Sequence, residues 1–99
     1  MTVYLIAQLK IHDRERYAEY ESGFIDIFSQ YKGTLLSVDE APGRLEGEWD
    51  FTRTVLIQFP TKDDADAWYY STEYQNLVKH RFAASDGNIV MINGLDSGL

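Results

Sequence analysis

Apolar residues repeat along this chain with two different periods, and each change of period marks a predicted element. Residues 2 to 11 alternate between apolar and more polar positions, which predicts a strand with one buried face. From Arg14 to Tyr31 the apolar residues recur every three or four positions, as in an amphipathic helix with Asp13 as its N-cap. Gly33 stands where a left-handed C-terminal cap is expected.

The same patterns predict three further strands. Two of them cover Thr34 to Val38 and Arg53 to Phe59, and the third covers Gly87 to Asn93. The connection over residues 39 to 50 has no sustained period, although it allows a short extra ladder around Arg44 to Glu46. We therefore expect an extended hairpin connection between the second and third strands.

A second helical region is predicted over residues 61 to 83, with a break or kink near Ser71. Two pairs of residues resemble capping boxes at the starts of its two segments. These pairs are Thr61 with Asp64 and Thr72 with Gln75.

The resulting order, βαββαβ, predicts an α+β fold: a four-stranded antiparallel sheet with both helices on one face, as in a ferredoxin-like sandwich. The other face should then be polar, yet Tyr4, Ile6 and Leu56 fall on it together with Gln58. An antiparallel sheet with one wet face normally alternates cleanly, so this face is expected to meet another sheet. The simplest partner is a second copy of the chain, and we predict a homodimer through the open sheet face.

Composition and charge narrow the classes of function. Residues 1 to 99 are expected to form a single domain with a modest core, and the absence of cysteine excludes disulfides and thiolate chemistry. The net charge of -7 disfavours a nucleic-acid partner, because such binding depends on Lys and Arg neutralising phosphates. No apolar stretch reaches the ~20 residues of a membrane helix, and the N-terminal residues predict a strand and not a signal peptide. We expect a cytoplasmic protein with no membrane partner.

Several short segments spread along the chain together resemble the DUF1330 family of the dimeric α/β-barrel superfamily. They are Tyr4-Leu5-Ile6-Ala7, Tyr17 and Tyr20, Leu45-Glu46-Gly47-Glu48-Trp49, Ile57-Gln58-Phe59-Pro60, Ala67-Trp68-Tyr69, Ser71 with Glu73-Tyr74-Gln75, Arg81 and Gly94. The resemblance implies a ferredoxin-like subunit whose sheet packs on that of a second subunit to close a β-barrel. It implies no activity, since the family has none established. Members often carry Arg-Gly-Gly after the second strand, where this chain has Val38-Asp39-Glu40.

Arg81 is the first candidate ligand-binding residue. It shares a helix face with the apolar Leu77 and Val78, where a guanidinium needs a carboxylate or an anionic ligand. A structural ion pair with Glu46 or Asp86 is the alternative. The expected ligand is a small organic acid or phenolate with an apolar body.

Four aromatic residues complete the helical part of the candidate site. Trp68 and Tyr74 could line an apolar pocket and offer indole or hydroxyl donors. Tyr17 and Tyr20 could bring hydroxyls to the same ligand from the first helix. Plain core packing is the alternative for all four.

Glu46 is the last candidate, as a carboxylate held beside Trp49, a setting in which acid–base chemistry is often arranged. The alternative is a hairpin salt bridge with Arg44 or Arg53.

The two imidazoles give little support for catalysis or for metal binding. His12 could act as a base at the end of the first strand, and a solvated position is its alternative, as it is for His80. Without spaced carboxylates the two histidines predict no metal site. Haem-degrading members of the superfamily carry a His where this chain has Val78, so no cofactor is expected.

The leading prediction is a binding domain that takes a small organic acid in a cleft between the sheet and the helices. The alternative is a cofactor-free enzyme of the monooxygenase or isomerase type found in the same superfamily. An RNA-binding module is disfavoured, because Gln58 and Met91 stand where exposed aromatics would be needed and the chain is acidic.

Overall fold

A computed structural model describes residues 1 to 98, apart from the side chain of Ser97. Within this part of the chain there are four strands, three α-helices and one short 3-10 helix. The strands are β1 (Val3–Ile11), β2 (Thr34–Asp39), β3 (Arg53–Phe59) and β4 (Ser85–Asn93). The helices are α1 (Arg14–Phe28), α2 (Lys62–Tyr69) and α3 (Thr72–Ala84), and Leu95–Ser97 form the 3-10 turn.

The strands form one antiparallel sheet in the order β2-β3-β1-β4. This order, with α1 and the α2–α3 pair as the two crossovers, confirms the predicted ferredoxin-like α+β fold. In β1 the odd-numbered residues from Val3 to Leu9 are buried under the helices, as the alternation predicted. Val3, Leu5 and Leu9 join side chains of β3 and of all three helices in one core.

The middle of that core is aromatic. Trp68 at the end of α2 contacts Phe28 of α1, Phe59 of β3 and Tyr74 of α3, with ring centroids 5.3, 5.6 and 4.3 Å away. Burial of such large rings is the main stabilising contribution available to a small domain. The sheet, α1 and the α2–α3 pair therefore depend on a common set of contacts.

Two of the predicted caps are present and two are not. Asp13 and Thr61 accept hydrogen bonds from backbone amides at the starts of α1 and α2, as predicted. The cap of α3 is Ser71 and not Thr72, because the Ser71 hydroxyl accepts from the Tyr74 amide while Thr72 already has helical conformation.

The predicted role of Gly33 as a left-handed cap is wrong. Helix α1 ends at Phe28. The chain then forms a tight turn in which the Tyr31 amide donates a hydrogen bond to the Phe28 carbonyl. Gly33 is not among the described glycines with positive φ. A Cβ at this position would lie 2.5 Å from the Phe28 ring, so the glycine permits close packing.

The long connection contains no strand among its described residues, so the extra ladder expected around Arg44 to Glu46 is absent. Edge strand β2, in contrast, contains an irregularity that the sequence did not reveal. Its pairing with β3 shifts between Leu35 and Ser37, which leaves Leu36 outside the ladder. Because of this bulge, Leu35 and Val38 both lie on the helix side of the sheet, opposite Ile57 and Val55.

The sheet face away from the helices remains apolar at its centre. Ile6 pairs with Leu56 on one side and with Val90 on the other, and Tyr4 pairs with Ile92. Val90 and Ile92 are 53% and 45% exposed in the single chain. This face, formed by Tyr4, Ile6, Leu56, Val90 and Ile92, is called the open face below.

Candidate functional site

An apolar cavity of about 170 Å³ lies between the sheet and the helices. The sheet contributes small and branched side chains from all four strands together with Arg53 of β3, and the helices contribute the aromatic residues and the charged Glu21 and Arg81. The lining residues are Ala7, Leu9, Tyr17, Tyr20, Glu21, Phe24, Ile25, Leu35, Val38, Arg53, Val55, Ile57, Trp68, Tyr74, Arg81 and Ile89. Five of the six candidate residues from the sequence therefore line one cavity.

Arg81 enters the cavity wall from the last turn of α3 and is only 7% exposed. Its guanidinium carbon lies 5.8 Å from the centre of the Tyr20 ring and 5.1 Å from that of Phe82. The described residues give it no ion pair, with Glu46, with Asp86 or with any other carboxylate, and one of its terminal nitrogens is buried without a hydrogen-bond partner. Desolvation lowers the pKa of Arg81, but the neighbouring Tyr74 and Tyr20 outweigh it and the net pKa is raised, so the guanidinium stays charged.

Tyr20 and Tyr74 join α1 to α3 beside this arginine. Their hydroxyl oxygens are 2.7 Å apart in a buried hydrogen bond. Burial raises the pKa of Tyr20 well above its ordinary value, and it raises that of Tyr74 against the opposing effect of Arg81. Both phenols are therefore neutral near pH 7.

Trp68 belongs both to the hydrophobic core and to the cavity wall. It is 1% exposed and is surrounded by aromatic rings, and its indole Nε1 is buried without a hydrogen-bond partner among the described residues. Buried indole N–H groups usually have a partner, so this donor stands out.

Arg53 and Glu21 line the cavity, although they were not among the candidates from the sequence. Arg53 donates to Glu21 at 3.2 Å and to Glu40 at 3.4 Å, while its Nε is buried without a described partner. Its guanidinium carbon also lies 5.4 Å from the centre of the Tyr17 ring. A signal was present in the sequence, because Arg53 has the same parity in β3 as the inward-facing Val55.

Tyr17 lies between the two cavity arginines. Burial raises its pKa, and the charges of Arg53 and Arg81 partly offset that effect. Its ring centre is 5.5 Å from that of Tyr20, one helical turn further along α1. The Tyr17 hydroxyl is thus a neutral group in the part of the wall that carries the charges of Arg53 and Arg81.

The structure does not bring Glu46 or the histidines to this cavity. Glu46 is exposed in the long connection, outside the lining residues, because the segment around it forms no ladder that would fold it back. His12 is exposed and lies 3.9 Å from Asp86. His80 is also absent from the lining, and its Nδ1 accepts a hydrogen bond from the Arg16 Nε at 2.7 Å.

Two negative findings concern the residues that the structure describes. Within residues 1 to 98, no three His, Asp or Glu side chains are grouped so that they could hold a metal ion. No described helix is both long and apolar enough to span a membrane.

The model of a family described as a domain of unknown function, DUF1330, matches residues 2 to 95. The chain belongs to the DUF1330 family. Among curated proteins, none matches this DUF1330 chain in sequence.

Solved structures with the same fold include proteins of unknown function and oxygenases. A protein of unknown function from Rhodopseudomonas palustris has a TM-score of 0.80 and 18% identity, over 95% of the DUF1330 chain and 82% of its own. A dimeric ferredoxin-like protein of unknown function from Jannaschia sp. CCS1 has a TM-score of 0.75 and 16% identity, over 95% and 100% of the two chains. SnoaB, a cofactor-independent oxygenase from Streptomyces nogalater, has a TM-score of 0.70 and 10% identity, over 94% and 92%. At such identities the likeness establishes the fold alone.

Proposed function

We propose that this DUF1330 protein is a homodimer that binds a small organic acid in the cavity between its sheet and its helices. The observation that carries the proposal is Arg81, a buried cation on the wall of an apolar cavity that makes no ion pair with a carboxylate among residues 1 to 98. A buried charge is costly unless it is paired, and an anionic ligand would provide the pair.

The volume of the cavity limits the body of the ligand. An apolar cavity of about 150 Å³ is large enough to hold benzene, and the cavity here measures about 170 Å³. We therefore expect an acid built on a single ring or on a short branched chain. The carboxylate would contact Arg81, and the apolar body would pack against the sheet side chains Val55 and Ile57.

Calorimetry tests the proposal with benzoate, pyruvate and longer aromatic and aliphatic acids as probes. Arg81→Met keeps the length of the side chain and removes its charge, so we expect at least about a ten-fold loss of affinity. Arg44→Met is the matched control, because Arg44 lies in the exposed connection, where its side chain is 58% accessible. Equal affinities for wild type and Arg81→Met, or no binding of any acid, would contradict the proposal.

The homodimer is supported by the open face and by the dimeric relative from Jannaschia. The centre of that face is apolar, and a sheet face of this kind is stabilised when a second sheet covers it. We expect light scattering to give a dimer at micromolar concentration for wild type and a monomer or unfolded chain for Ile6→Lys with Leu56→Lys. The control, Ala18→Lys with Ala83→Lys, adds the same charge on exposed helix positions and should remain dimeric. A monomeric wild type would refute this assembly.

The alternative function is a cofactor-free enzyme, and the fold shared with SnoaB is the observation in its favour. A base in this cavity would have to be a tyrosine or the paired Glu21, and burial raises the pKa of Tyr17, Tyr20 and Tyr74. A phenol with a raised pKa is protonated near pH 7 and cannot take up a proton there, and Glu21 is held by Arg53, which is why we favour binding. Consumption of oxygen or of a bound acid without an added cofactor would favour the enzyme.

A further inference from the structure

Three charged side chains stand in the lining of the cavity, and their charges do not cancel. They are Glu21 of α1, Arg53 of β3 and Arg81 of α3. Burial is the main cause of the raised pKa of Tyr17, but these three charges all act on it as well. One negative and two positive charges therefore share the surroundings of a single tyrosine.

The charge of Arg53 is already matched by carboxylates. Arg53 donates to Glu21 at 3.2 Å and to Glu40 at 3.4 Å, and Glu40 also accepts from Arg14 at 2.6 Å. The Arg53 side chain is 16% accessible, so its charge depends on these carboxylates more than on water. The four side chains, called the Arg53 network below, carry two positive and two negative charges and are neutral as a group.

Arg81 is the charge of the lining that this network does not balance. It is 7% exposed and makes no ion pair with a carboxylate among residues 1 to 98. One bound carboxylate would therefore neutralise the cavity. A second carboxylate on the same ligand would be buried against apolar side chains with no unmatched cation to pair with it, and an unpaired buried charge is costly.

From this count of charges we propose that Glu21 sets the charge of the ligand, and that the cavity binds monocarboxylates in preference to dicarboxylates of the same size. The inference rests on the proposed function and adds the charge of the acid and the residue that determines it. Glu21 acts by holding Arg53 in a neutral network. Without its carboxylate, the network would have one positive charge in excess, and that charge could pair with a second acid group.

The test compares 3-nitropropionate with succinate. The two acids have the same shape, but a nitro group without net charge replaces one carboxylate of succinate. Both are smaller than benzoate, so the size of the cavity does not separate them. Calorimetry on wild type near pH 7 should give at least about ten-fold tighter binding for 3-nitropropionate.

Glu21→Gln keeps the length of the side chain and removes its charge. The ratio of the affinity for 3-nitropropionate to that for succinate should fall by at least about five-fold in this variant. Glu15→Gln is the matched control, because it removes the same charge from α1 at an exposed position outside the cavity lining. It should keep the wild-type ratio.

The pH dependence of the ratio in wild type is a second measurement, in case Glu21→Gln folds poorly. As the pH falls through the second pKa of succinate, a growing share of that acid carries a single charge. The affinity for succinate should then rise relative to that for 3-nitropropionate. Both acids are measured on the same protein at each pH, so the ratio removes the effects that titration of the protein has on both.

Three results would overturn the inference. Equal or tighter binding of succinate by wild type near pH 7 would refute the preference for one charge, and an unchanged ratio in folded Glu21→Gln would refute the role of Glu21. A ratio that stays constant as succinate is protonated would also count against it. If the two acids bind equally and Arg81→Met abolishes binding of both, the proposed function stands and only this inference falls. If wild type binds no acid at all, both fall together.

Discussion

Replacing Trp68 by alanine should remove a large part of the stability of this domain. The ring is 1% exposed and has five aromatic neighbours with centroids within 6.0 Å, among them Tyr74 at 4.3 Å and Phe59 at 5.6 Å. Truncating a buried Trp to Ala costs about 3 to 5 kcal/mol, from lost transfer free energy and from the cavity left behind. Because the total free energy of unfolding of a domain is about 5 to 15 kcal/mol, Trp68→Ala should be folded but marginal.

Urea unfolding followed by circular dichroism measures this loss, at one protein concentration because dimerisation would add to the apparent stability. A loss of about 4 kcal/mol corresponds to a fall in melting temperature of about 15 to 30 °C for a domain of this size. Trp49→Ala is the control, since Trp49 is 40% exposed and makes an edge-on contact only with Phe51 among the described aromatic rings. It should cost less than about 1 kcal/mol.

A melting temperature of Trp68→Ala within about a degree of wild type would refute the reasoning. It would mean that the ring contributes no packing energy and that Trp68 belongs to an open site. A change in the dependence of unfolding on urea, without a change in midpoint, would instead indicate an altered unfolded or native state.

Three further predictions concern other parts of the core. Gly33→Ala places a Cβ 2.5 Å from the Phe28 ring and should destabilise the fold by about 1 to 3 kcal/mol by urea unfolding, whereas Gly43→Ala, with nothing within 4 Å, should not. Tyr20→Phe or Tyr74→Phe alone should cost about 1 to 3 kcal/mol, because each leaves the other hydroxyl without its partner, and the double variant should cost less than the sum. The same two phenols, whose pKa values burial raises above the ordinary 10.0, stay protonated in the folded state. Their contribution to stability should therefore be constant below about pH 10 and fall as the pH rises further, and the difference in absorbance between wild type and Tyr20→Phe should show the Tyr20 phenolate forming only as the chain unfolds. Loss of stability already at pH 8, or early titration of both phenols, would contradict that assignment.

Much of the fold follows from local pattern. The alternation in residues 2 to 11 and the helical spacing after Asp13 depend only on which side chains avoid water, and both elements are present within a few residues of the predicted bounds. The apolar character of both sheet faces was also visible in the sequence, because parity along a strand assigns each residue to a face. The inward position of Arg53 follows from the same rule.

What the sequence did not determine depends on contacts between distant residues. The bulge at Leu36 reverses the parity of β2, so that Leu35 and Val38 both line the cavity. Gly33 looked like a helix cap, but its reason is the Phe28 ring that approaches it. Whether Arg81 would meet a carboxylate was also open, since the exposed connection that carries Glu46 could have folded over it.

In the candidate site, too, some features follow from local sequence pattern and others from packing between distant residues. That Tyr17, Tyr20, Trp68, Tyr74 and Arg81 lie on the inner sides of their helices is a consequence of helical periodicity. That they surround one cavity and that Glu46 lies outside its lining are properties of the packed structure. Packing and hydrogen bonding are satisfied jointly by residues far apart in the chain, and no local pattern records which polar groups are left over.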